Sequence, residues 1–209
     1  MKNPATKSLI HQTDADFEEN QRRLDTAFHK VEKKWLDYLA LSLATCGVGY
    51  IRLAPGTWGS LVGVGIYLIL RSLGLAVWQI GLASGWRAEQ MSAWHAPVNI
   101  FVVLLVTIVG IWAGSRAAQI MNDKDPQSVV IDEVVGQLIT LAFIPFNVAW
   151  WMIVAGFFLF RFFDIAKPYP IYRLQVLPGG LGVCADDILA GIYAAIVLSV
   201  IAAIQISFG

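Results

Sequence analysis

The sequence predicts an all-α fold: a polytopic bundle of membrane helices with about five crossings. Two observations about composition carry that reading. Apolar residues fill 57% of the 209 positions and charged residues only 14%, with a mean hydropathy of +0.62, against roughly 45–50% and about 25% in soluble domains. The charges are also segregated: Met1–Arg52 holds 8 Lys/Arg and 7 Asp/Glu, and the remaining 157 residues hold only 7 and 8. The third observation is a series of uncharged stretches near the ~20 apolar residues that a spanning helix needs.

This charge distribution divides the chain into a charged N-terminal arm, 1–45, and a membrane-embedded domain, 46–209. The arm does not read as a signal peptide, because Asp14, Asp16, Glu18 and Glu19 occupy its early positions and no apolar core follows. Within Asp16–Leu43, apolar residues recur among charges (Phe17, Leu24, Phe28, Val31, Trp35, Tyr38, Leu39). That spacing predicts an amphipathic helix suited to a membrane surface.

Ala96–Ile120 and Ile188–Phe208 each satisfy the length for a span. Thr57–Leu70 is apolar but short, and Arg71 at its end can reach an interface. Arg71–His95, broken by Gly74, Gly81 and Gly85, reads as a far-side connection that dips partly into the bilayer. Val129–Phe163 is too long for one span, and Pro145-Phe146-Asn147 interrupts it. Proline and asparagine there predict a tight turn, hence a helical hairpin with arms Val129–Ile144 and Val148–Phe163. The hairpin puts Asp132, Glu133, Asp164 and Lys167 on one side. Most Lys and Arg then share that side, which the positive-inside rule makes cytoplasmic.

Beyond Arg52 the acids gather at the near-side helix ends: Asp123, Asp125, Asp132, Glu133, Asp164, Asp186 and Asp187. Carboxylates at a bilayer boundary are costly unless paired or bound to a cation. Helix capping by Asp186 and ion pairs with Lys167, Arg161 and Arg173 would account for part of the set. They leave two adjacent acid pairs, and Asp164 at a helix C-terminus, where the dipole disfavours it. Carboxylate oxygens favour a hard cation such as Mg²⁺. Three scattered histidines (His11, His29, His95) and the lone Cys46 and Cys184 do not form a zinc or redox set. With zero net charge, nothing recruits nucleic acid.

Two glycine-bearing loops fall on the same side. Pro55-Gly56-Thr57-Trp58-Gly59-Ser60 opens the first span, where backbone amides and the Thr57 and Ser60 hydroxyls can hold an anion. Pro178-Gly179-Gly180-Leu181-Gly182 precedes Asp186. Lys167 follows Asp164 just before Pro168, so both belong to one helix end. A basic side chain, a divalent ion and N–H donors together meet the needs of phosphoryl transfer, whose transition state is stabilised by positioning and charge.

At these residues the sequence resembles the phosphatidylglycerophosphatase A family. The motifs are Pro55–Ser60, Ile131-Asp132-Glu133-Val134-Val135-Gly136, Phe160-Arg161-Phe162-Phe163-Asp164-Ile165-Ala166-Lys167-Pro168-Tyr169-Pro170-Ile171, and Gly179–Val183 with Asp186-Asp187-Ile188-Leu189-Ala190-Gly191. They occur in family order over roughly 43–200. The resemblance implies a multi-pass enzyme of the bacterial inner membrane. It would be Mg²⁺-dependent, with its site facing the cytoplasm, and would hydrolyse a phospholipid, phosphatidylglycerophosphate, to phosphatidylglycerol and inorganic phosphate. On that reading Asp132, Glu133, Asp164 and Asp187 hold Mg²⁺ and Asp186 takes a proton from water. Lys167 and the Gly56, Thr57, Gly59 and Ser60 segment clamp the phosphate. Direct water attack and a covalent aspartyl-phosphate both stay open. The alternative of another class is a small ion- or proton-coupled transporter using the same acids.

Overall fold

The computed structural model describes residues 35–123, 126–145, 148–174 and 180–208. It is helical throughout these: α1 Trp35–Thr45, α2 Pro55–Ala83, α3 Ala88–Met121, α4 Ile131–Leu141, α5 Trp150–Ala166, a single turn α6 Ile171–Leu174, and α7 Gly180–Phe208. No strand occurs among the described residues. The described helices beyond Leu36 belong to one compact unit, Asp37–Gly209. Most of the expected amphipathic helix, with His11 and His29, lies outside the described residues.

Three helical segments are long and apolar enough to cross a membrane: Pro55–Ala83, Pro97–Met121 and Cys184–Phe208. Their exposed apolar side chains mark the lipid-facing sides. On α7 these are Ile192, Ile196, Val200, Ile204 and Phe208, and on the shorter α5 Trp150, Val154, Phe158, Phe162 and Ile165. A spacing of three to four residues keeps each set on one face of its helix. In water such stripes would be an aggregation hazard; in lipid they cost nothing.

The interior element is α4. Its 11 residues span about 16 Å, too short for a ~30 Å hydrocarbon core, and all but Glu133 are buried. It packs against α2, α3, α5 and α7, so its environment is protein all round. Val134, Leu138 and Leu141 join Tyr67, Ala113, Met152, Ile153 and Leu198 in the core. Because α4 stops inside the bundle, its last carbonyls need donors. Asn99 of α3 donates its Nδ2 to the Ala142 carbonyl at the α4 C-cap at 3.1 Å, and in the connection to α5 Arg71 of α2 donates Nη2 to the Val148 carbonyl at 3.0 Å.

Two expectations about boundaries are corrected. Arg71–His95 is not a connection: α2 runs unbroken to Ala83 and α3 begins at Ala88. A glycine costs a helix only about 1 kcal/mol, whereas unpaired backbone in lipid costs several, so Gly74 and Gly81 stay helical. Gly81 also admits Met91, whose Sδ would lie 2.7 Å from a Cβ placed there. The turn comes instead at Gly85, whose φ of +85° suits glycine. The second correction concerns α7, already helical at Gly180. Asp186 and Asp187 therefore sit within the helix, and Asp186 does not cap it.

Candidate active site at the joined helix ends

Three helices, α4, α5 and α7, supply the acidic site. The first turn of α4 carries Asp132 and Glu133, α7 carries Asp186 and Asp187, and the C-terminal part of α5 carries Arg161 and Asp164. Lys167 follows as the C-cap of α5 in a left-handed conformation (φ 41°). Carboxylate oxygens of Asp132, Glu133 and Asp187 lie within 4.8 Å of one another. The Asp132 and Glu133 carboxyls touch, as do those of Asp187 and Asp164.

Glycines bring these groups together. A Cβ at Gly191 would lie 3.0 Å from the Gly136 Cα, and one at Gly136 would lie 2.7 Å from the Asp187 carbonyl oxygen. The backbones of α4 and α7 thus cross nearly in contact, the use that membrane helices make of small residues. Asp132 stands four residues before Gly136, and Asp187 four before Gly191. One helical turn back from the crossing, on both helices, is therefore a carboxylate. Thr140 adds a bond to the Gly136 carbonyl at 2.9 Å and reaches Gly191 O at 3.4 Å.

The first turn of α2 forms a wall of the site. A Cβ at Gly59 would meet the Glu133 Cβ at 3.2 Å, and one at Gly56 would fall on the Glu133 carboxylate and 3.0 Å from Arg161 Nη1. Gly56 and Gly59 thus admit an acid and an arginine against α2. The buried Ser60 donates its hydroxyl to Gly56 O at 2.8 Å, and the Thr57 amide folds back to Ala54 O at 2.9 Å. Of the second glycine loop, Pro178 and Gly179 lie outside the described residues; Gly180 and Gly182 belong to the first turn of α7.

Two cations balance part of the negative charge. Lys167 Nζ donates to Asp186 Oδ2 at 2.6 Å, and Arg161 Nη1 donates to Asp164 Oδ2 at 2.6 Å. Burial pulls the Lys167 amine down, but the Asp186 bond and the charges of Asp186, Asp187 and Asp164 outweigh it and hold the amine above its ordinary value. The pair therefore persists at neutral pH and is lost only as pH rises past that raised value. Arg161, which the sequence offered only as an ion-pair partner, lies in the candidate site against Asp164 and Gly56. The signal was present: it precedes Asp164 by three residues, the spacing that puts two side chains on one helix face.

Cys46 lies within reach of the Glu133 charge. Burial and that acid push its thiol up, which disfavours it as a nucleophile.

Five carboxylates against two cations leave a buried excess of negative charge, which demands protons or a metal. A metal fits the groups present. Asp132 Oδ1 and Glu133 Oε2 are buried with no hydrogen-bond partner, and the donor set is all oxygen, as hard divalent cations prefer. Fold and site together define an integral membrane protein with a carboxylate centre built from helix ends.

Comparison with known proteins identifies which such protein family this is. The family profile described as "Phosphatidylglycerophosphatase A" matches residues 41–202, and the chain belongs to that family. It is therefore an enzyme, a phosphatase. A Haemophilus influenzae phosphatidylglycerophosphatase A is 41% identical over 155 residues, covering 73% of this chain and 81% of its own. The Escherichia coli protein of the same name is 32% identical over 153 residues, covering 73% and 76%. A Bacteroides thetaiotaomicron protein provisionally named a phosphatidylinositol-3-phosphatase is 35% identical over 159 residues, covering 74% and 87%. No solved structure matches.

Proposed function

We propose that this enzyme is a Mg²⁺-dependent lipid phosphatase that converts phosphatidylglycerophosphate to phosphatidylglycerol and inorganic phosphate at the cytoplasmic face of a bacterial inner membrane. The observation that carries this reading is the convergence of Asp132, Glu133 and Asp187 within 4.8 Å, in a chain of this family. These three, with Asp164 against Asp187, would hold the ion. When bound, a divalent ion neutralises phosphate charge and lowers the pKa of water.

The remaining work falls to the chain's own groups. Arg161 and Lys167, anchored by Asp164 and Asp186, present cationic N–H donors to the phosphate oxygens, the strongest kind of hydrogen bond to that group. Gly56 lets Arg161 approach the α2 N-terminus, where the helix dipole favours negative charge. Asp186, one residue from the metal-binding Asp187, accepts the proton of the attacking water. As the water oxygen bonds to phosphorus, the ester P–O bond breaks and the glycerol oxygen leaves, to be protonated. The Lys and Arg excess on the near side supports the cytoplasmic placement.

A second substrate, phosphatidylinositol-3-phosphate, is favoured by the name of one relative. The test is phosphate release by the full chain in detergent from each lipid, with EDTA and with Mg²⁺, Mn²⁺ or Zn²⁺ added back. The expected result is release from phosphatidylglycerophosphate that EDTA abolishes and Mg²⁺ restores. Turnover of the inositol lipid alone would reassign the substrate. No release with any metal would overturn the reading and return the transporter alternative to the fore.

A further inference from the structure

Below the acids, the seam between α2 and α4 holds buried polar groups that no protein atom satisfies. Gln137 is one turn below Glu133 on α4 and has no exposed surface, and neither its Oε1 nor its Nε2 has a partner. The Tyr67 hydroxyl of α2, in a residue only 3% exposed, is in the same state, as is Glu133 Oε2. The α2 backbone lies over this face. A Cβ at Gly59 would meet the Glu133 Cβ at 3.2 Å, and one at Gly63 would meet the Gln137 Cβ at 2.8 Å. Tyr67 continues that face of α2 one turn past Gly63.

A native core rarely leaves an amide bare on both its atoms. The chemistry of the occupant follows from what is missing. Gln137 offers two donors and an acceptor. An apolar occupant would satisfy none of them, and a cation would satisfy the oxygen and leave the N–H₂ unmet. Water both donates and accepts, and the ~5–6 Å between residues four apart on one helix face is the span of one water bridge. We propose that the α2–α4 seam is a built hydration site, with an ordered water bound by the Gln137 amide and bridging to the Glu133 carboxyl group. The site is independent of the phosphatase reading and stands or falls without it.

The test uses the full chain in detergent micelles with ¹⁵N-glutamine. Cross-relaxation from water to the Gln137 side-chain N–H₂ is expected, told apart from proton exchange by its sign in the rotating frame. The signal is assigned by its loss in Gln137→Met, or in Gln137→Asn if the methionine variant does not fold. Removing a water-bonded amide also lowers Tm by a few degrees in Gln137→Met. Absence of the water signal in the wild type overturns the proposal, as does a Gln137→Met protein of higher Tm, because a dry, unpaired amide is relieved by an apolar side chain of similar length.

Discussion

At the scale of single residues, the centre trades stability for function. Asp132, Glu133 and Asp187 are packed together, and Asp187 also touches Asp164. Without a metal, each adds repulsion to its neighbours. Asp187→Asn is therefore expected to raise Tm measured in EDTA, while lowering phosphate release at least about 100-fold, a typical loss when a group stabilising the transition-state charge is removed. A Tm that falls in EDTA would show that the aspartate is a structural partner rather than a strained ligand. Arg161 gives a finer test. Its planar guanidinium bonds Asp164 at 2.6 Å while touching the space above Gly56, and a lysine there supplies charge without the fork. Arg161→Lys should reduce kcat roughly 10–100-fold, the range for lost ligand-orienting partners, with the fold intact by circular dichroism.

At the scale of elements, the α4–α7 crossing sets the distance between the acids. Gly136 and Gly191 are its contact points, and an added methyl has no free space at either. Gly191→Ala should cost about 1–3 kcal/mol, the range for overpacking, and should weaken activity by moving Asp187 away from Asp132. Differential scanning fluorimetry alongside phosphate release checks both; a fully active, fully stable variant would mean the helices can part without harm. The buried C-terminal end of α4 depends on Asn99, and Asn99→Leu leaves the Ala142 carbonyl without that donor. A loss of about 1–3 kcal/mol is expected for an orphaned buried group, read as a lower Tm.

At the scale of the whole molecule, the arrangement of helix ends predicts a topology. The site residues of α4, α5 and α7 share one side, and the α2–α3 connection at Ser84–Arg87 belongs to the other. In a background lacking Cys46 and Cys184, cysteines at the exposed positions Arg173 and Ser84 should react with impermeant maleimide from opposite faces. Arg173→Cys should react from the cytoplasm and Ser84→Cys from outside. Labelling of both from one face would contradict the crossing pattern and, with it, the cytoplasmic placement of the site.

Much of this was legible in the amino-acid order. Composition and charge segregation fix an all-helical membrane bundle, because lipid leaves backbone groups no partner but their own helix. Asp132, Glu133, Asp164, Lys167, Asp186 and Asp187 stand out because acids are rare and costly among apolar helices. Gly74 and Gly81 do not break α2, and α7 is already helical at Gly180, since glycine's weak local preference yields to burial and close packing, which no window of sequence contains. Only the tertiary structure decided which acids meet. Asp132 and Asp187 lie 55 residues apart in the chain, and a contact over that separation is set by the glycine crossing of α4 and α7. It also turned Ser60 inward and brought Arg161 against Gly56 of α2, because orientation around a helix axis depends on what packs against it.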